Sequence, residues 1–100
     1  MIYLTQLIYI KPGQEAVFNA FEANVIPLMG KYSGKIIQRI QPSQGAFIEG
    51  EAEKPYEIHF MSFDSEERLQ AYLADETRKK FTHMKEASIQ SSFLVKGEKM

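Results

Sequence analysis

An α+β fold with one four-stranded antiparallel sheet and helices on one face is predicted by three observations. Four short runs of β-forming residues alternate with two segments of helical period, in the order strand, helix, strand, strand, helix, strand. The chain has 100 residues, 44% hydrophobic and 25% charged, which suits one hydrophobic core and one domain spanning residues 1–100. Right-handed crossovers close this order into a β-α-β-β-α-β, ferredoxin-like arrangement.

The first run, Met1 to Ile10, is broken only by the polar Thr5 and Gln6, and ends at Lys11-Pro12-Gly13. A strand solvated on one face would alternate more cleanly, so both faces are expected to be covered at least in part. From Gln14 the period lengthens. Val17, Phe18, Phe21, Val25, Leu28 and Met29 recur at helical spacing, with Gln14, Glu15, Asn19 and Glu22 between them. Gly13 is the expected N-cap, Glu15 complements the helix dipole, and Pro27 kinks the last turn.

Lys35 to Gln41 reads as the second strand, stopped by Pro42. A long acidic connection follows from Ser43 to Pro55, in which Ala46-Phe47-Ile48 is a candidate short strand or flap. Tyr56 to Phe63 is the third strand. Asp64 is the expected N-cap of the next helix, with Glu67 completing a capping box, and Leu69, Tyr72 and Leu73 form its apolar stripe. A second start at Asp75 breaks this helical region in two before a last strand, Ser91 to Lys96.

Composition excludes several classes. Twelve basic against thirteen acidic residues leave a net charge of −1, so no long-range field draws in a nucleic acid. The absence of cysteine removes disulfides, thiolate nucleophiles and iron–sulfur clusters, and fits a cytoplasmic protein. No run approaches the ~18 apolar residues of a membrane span, and Met1 to Lys11 lacks the basic start of a signal peptide.

Period-two reading puts Glu57, His59, Met61 and Phe63 on one side of the third strand and Ile58 and Phe60 on the other. In the first strand Tyr3, Thr5, Leu7 and Tyr9 oppose Leu4, Gln6, Ile8 and Ile10. Both faces carry large apolar groups. Helices on one face leave the other bare, and sheet-on-sheet pairing of two copies would cover it.

Three stretches carry a resemblance. These are Leu7-Ile8-Tyr9-Ile10-Lys11-Pro12-Gly13-Gln14-Glu15, Met29-Gly30-Lys31-Tyr32-Ser33-Gly34-Lys35-Ile36-Ile37, and Pro55 to Ser65 followed by Ala71-Tyr72-Leu73. Together they resemble the dimeric α/β-barrel superfamily over nearly the whole chain. Within it, the sequence looks most like a small family of unknown function with a Phe-x-Ser element before its second helix. It resembles antibiotic-biosynthesis-type monooxygenases more distantly. The resemblance implies a homodimeric α/β barrel with a cavity between sheet and helices. Members of the superfamily include cofactor-free monooxygenases acting on phenols, muconolactone-type isomerases and haem-degrading enzymes.

His59 is the foremost candidate for chemistry, as a general base or a ligand contact, since imidazole titrates near neutrality. A structural histidine bonded at the dimer interface is the competing account. Tyr3 and Tyr9 suit a flat phenolic ligand, or else pack between sheets. Arg39, a charge in mid-strand, binds a carboxylate ligand or pairs with Glu57 on the neighbouring strand. Met61 and Glu57 share the His59 side, and Arg78 either gates the cavity or is a solvated helical charge. His59 and His83 lack metal-binding spacing, and no phosphate loop, dinucleotide fingerprint or nucleophile elbow occurs, so no metal, haem or other cofactor is expected. The function expected is the binding of a small hydrophobic or aromatic molecule in that cavity. The alternatives are a cofactor-independent monooxygenase or isomerase acting on a phenolic or lactone-type substrate, and an interaction module without a ligand.

Overall fold

The computed structural model describes residues 1–100. Four strands, β1 (Ile2–Ile10), β2 (Lys35–Ile40), β3 (Glu57–Phe63) and β4 (Ile89–Gly97), form one antiparallel sheet in the order β2-β3-β1-β4. The helices α1 (Glu15–Val25), α2 (Glu66–Leu73), α3 (Glu76–Lys79) and α4 (Thr82–Ser88) complete the chain. The shortest dimension of the Cα trace is 16 Å, room for one sheet and one helical layer. No helix is long and apolar enough to cross a membrane.

Several local expectations are corrected. The N-cap of α1 is Gln14; Gly13 instead takes φ +80°, a turn conformation that glycine adopts without steric cost. The helical period through Met29 is real, but α1 ends at Val25. Pro27 has no N–H to continue the ladder, and Ile26–Tyr32 tightens to a 3-10 helix with Pro27 in its first turn. Ala46–Ile48 is no strand: Gln44–Ala46 is a short 3-10 turn. The cap of α2 is Ser65 rather than Asp64, its hydroxyl accepting from the Arg68 N–H at 3.2 Å. The last strand starts two residues early, at Ile89, directly after α4.

Register decides what meets the helices. Leu4 pairs with Met61, Gln6 with His59 and Ile8 with Glu57, and these side chains point to the helical side. Phe18, Phe21 and Val25 of α1 and Leu69 and Tyr72 of α2 cover them. Fully burying one such side chain is worth about 1.5–3 kcal/mol. Between β2 and β3 the register slips at Ile37, so Ile36 pairs with Met61 while Arg39 pairs with His59. The extra residue reverses the alternation and places Arg39 on the helical side of the sheet. Gly34, just before β2, lies against the Phe63 ring, where a Cβ would come within 2.5 Å of a ring carbon.

The opposite face has no helical cover. Tyr3 and Phe60 stack there with ring centroids 5.9 Å apart, and Ile37, Phe93 and Val95 stand exposed beside them.

Candidate functional site

β3 carries the polar centre of the molecule. Glu57 is wholly buried and His59 nearly so, because both point under the helices in the middle of the sheet. A lone carboxylate there would be costly, and Glu57 is fully provided with donors. Its Oε2 accepts from Arg39 Nε at 2.7 Å and is hydrogen-bonded to His59 Nε2, while its Oε1 accepts from Gln41 Nε2 at 2.8 Å. Burial works to raise the Glu57 carboxyl, but the bonds from His59, Arg39 and Gln41 outweigh it and hold the value at about 2. Glu57 therefore stays ionised and fixes the imidazole of His59 at one nitrogen. Arg39 pairs with Glu57, as one of its two sequence readings has it. The His59 reading as an interface residue is corrected, since the ring faces the helices and not the open sheet face.

Between sheet and helices lies a cavity of about 250 Å³. Thirteen of its 19 lining residues are hydrophobic, among them Phe21, Val25, Met61 and Phe63. The polar remainder is Gln6, Glu22, His59, Arg78, Lys85 and Ser92. Leu73 and Leu94, 38% and 45% exposed, mark the mouth together with Lys85. On the far side of the His59–Glu57 pair, Glu57, Arg39, Gln41 and Asn19 line a polar surface depression. The pair thus links a greasy interior to a wet exterior.

Glu22 enters the cavity from α1. It lies four residues after Phe18 and three before Val25, on the helix's buried stripe, and is only 6% exposed. Desolvation pushes its carboxyl above the usual range, against the opposing charges of His59 and Arg39. Arg78 enters from α3. Asp75, the N-cap of α3, accepts from the Arg78 N–H at 2.8 Å and also takes the hydroxyl of Tyr32. The guanidinium carbon lies 5.0 Å from the Tyr72 ring centroid and 6.0 Å from that of Phe21. Its Nε is buried with no hydrogen-bond partner.

The structure therefore brings together His59, Glu57, Arg39, Met61 and Arg78, with Met61 in the apolar wall. It separates Tyr3 and Tyr9 from them. Tyr3 belongs to the uncovered sheet face, and Tyr9 packs edge-on against Phe93 at 6.0 Å and lines a different depression beside Phe47 and Tyr56. Their odd positions on β1 point away from the helices, so they are corrected as cavity residues. Sequence reasoning missed Glu22, Gln6, Lys85 and Ser92. For Glu22 the signal was present, a charge at buried helical spacing. His83 is exposed, on α4.

No protein-family model and no curated protein matches the sequence. Solved structures do. A protein of unknown function from Rhodopseudomonas palustris superposes with a TM-score of 0.82 at 14% identity, covering 99% of this chain and 82% of that one. A NIPSNAP-family protein with unknown function from Agrobacterium tumefaciens gives a TM-score of 0.71 at 16% identity, over 97% of this chain and 86% of the other. A dimeric protein of unknown function and ferredoxin-like fold from Bacteroides fragilis gives 0.70 at 14% identity, over 97% and 94%. Identities this low speak for backbone architecture alone. With its strand order and one-sided helical layer, the chain has the ferredoxin-like fold found in these proteins.

Proposed function

We propose that the protein is a homodimer that binds a small, largely apolar molecule in the cavity between sheet and helices. The observation that carries this reading is the cavity's division of labour: apolar walls, with His59, Glu22 and Arg78 among the few polar groups set into them. The walls reward loss of apolar surface from water, and the polar groups orient what enters. Support for the homodimer comes from the uncovered sheet face, where Phe93 is 63% and Val95 58% exposed, and from the dimeric Bacteroides fragilis neighbour.

The test is a thermal-shift screen of small aromatic and alicyclic compounds against the intact protein and a Leu94→Trp variant that fills the mouth. Binding that raises the melting temperature of the first and not the second supports the reading. A screen in which no compound shifts either protein leaves an interaction module and sinks the ligand.

A second reading, a cofactor-independent enzyme, draws on one further feature. His59 is held by an ionised carboxylate at one nitrogen and lines the cavity, the arrangement a general base requires. Turnover of a lactone or phenol that disappears in His59→Ala and survives in Tyr3→Phe would establish it.

A further inference from the structure

The proposed cavity ligand acquires a chemical class from the one buried side-chain polar atom that no protein partner satisfies, the Arg78 Nε. We infer that the cavity takes a small monocarboxylate, its carboxylate on the Arg78 guanidinium and its apolar body against the Phe21, Val25 and Met61 wall. This rests on the reading of the cavity as a binding site and adds to it the charge of the occupant.

The first support is the state of Arg78. A guanidinium presents five donors in a planar fork, and buried donors are almost always satisfied. Arg78 takes part in none of the molecule's ion pairs, which join Arg39 and His59 to Glu57, Lys79 to Glu76 and Lys96 to Glu66. Its Nε is buried and unpartnered, its guanidinium carbon lies over the rings of Tyr72 and Phe21, and its charge acts to lower both the Tyr72 hydroxyl and the Glu22 carboxyl against their burial. Of the two carboxylates just before it, Glu76 pairs with Lys79, and Asp75 is occupied by the Tyr32 hydroxyl and the Arg78 backbone N–H, so it holds the arginine's main chain in place without pairing with its head. What is missing is an acceptor with two oxygens in a plane, the geometry an arginine fork matches best.

The second support is the charge of the remaining lining. Lys85 adds a cation at the mouth. His59 is already paired with Glu57, which lies behind it and is itself saturated by Arg39 and Gln41. Glu22 is the one acid lining the cavity, and burial raises its carboxyl above the usual range, which favours its uncharged form beside an anion. Size suits a small acid: a cavity of about 250 Å³ with an open mouth has room for one ring with a short acidic arm.

The experiment compares benzoate and 3-phenylpropionate with their neutral amides, on the full chain, by titration followed in two-dimensional amide NMR spectra. The acids are expected to bind at least about tenfold more tightly than the amides, the scale of one charge-assisted bidentate contact. Arg78→Met should abolish that preference, and Arg78→Lys should restore part of it. Equal affinity for acid and amide in the unmodified protein overturns the inference and leaves the binding cavity standing. Binding by neither class overturns both. The acid–amide comparison needs no variant, so a misfolded Arg78→Met would not blunt it.

Discussion

Replacing Glu57 by Gln keeps the shape of the side chain and removes its charge. In the folded protein this carboxylate accepts from Arg39, His59 and Gln41, and its value lies at about 2 against an ordinary 4.5. The folded state therefore binds the Glu57 proton less tightly than the unfolded chain does. Its contribution to stability is complete above pH 4.5 and is lost as the pH falls toward 2. The difference of 4.5 − 2 = 2.5 units, at 1.36 kcal/mol per unit, corresponds to about 3 kcal/mol. Urea denaturation of both proteins at fixed concentration, from pH 7 to pH 2, reads this directly. Glu57→Gln should be less stable by about 3 kcal/mol at pH 7, with the gap narrowing below pH 4.5 and nearly closing at pH 2. A gap that stays constant over the whole range would refute the argument, because the loss would then come from packing and not from the charge.

The same titration predicts the opposite sign for Glu22. Its folded value is raised, so the folded state holds this proton longer, and stability drains away as the pH rises from 4.5 through the folded value. Glu22→Gln should match the parent at pH 4 and exceed it at pH 8 in the same denaturation series. Gly34→Ala would drive a Cβ to 2.5 Å from the buried Phe63 ring and 3.1 Å from Met29 Cβ, with no flexible chain end to yield. It should cost about 1–3 kcal/mol, as an overpacked core does. Phe93→Asp alters a side chain that is 63% exposed in the single chain, so the fold should survive with a change below about 0.5 kcal/mol while sedimentation velocity shows the proposed dimer dissociating. A dimer unaffected by it would place the interface elsewhere.

Much of the fold was legible because it depends on period. The switch from alternation in β1 to a helical repeat after Pro12-Gly13, and back again in β2, follows from which positions must leave water. Caps were less legible where two good candidates stand side by side. Asp64 and Ser65 are both strong N-caps, and only the backbone direction at the end of β3 selects Ser65. The site was legible in its β3 part. Glu57, His59 and Met61 alternate correctly, and Arg39 was recognisable as a charge needing a partner. What placed Arg39 beside that partner was the register slip at Ile37, which no alternation rule reveals. The cavity itself is a difference between helix–sheet spacing and side-chain volume. It has no signature in the order of residues, and with it Gln6, Lys85 and Ser92 stayed hidden.

Stability alone does not account for this interior. A buried ion pair gains little over well-packed apolar residues of equal volume, and breaking one by removing a partner is costly. Leu4, Met61 and Phe63 show that the same sheet face can be filled with apolar side chains next to these groups. Yet β3 carries Glu57 and His59 in its buried positions, α1 sets Glu22 into its apolar stripe, and α3 directs inward an arginine whose Nε has no partner. Each breaks a local rule, and the breaks converge on the one helix-covered cavity while the uncovered sheet face remains apolar. Local rules fail together where function is placed. On that logic the two proposals fall on separate faces of the sheet: the proposed dimer would use the apolar face, and the proposed acid would sit on the helical face beside Arg78, Glu22 and His59.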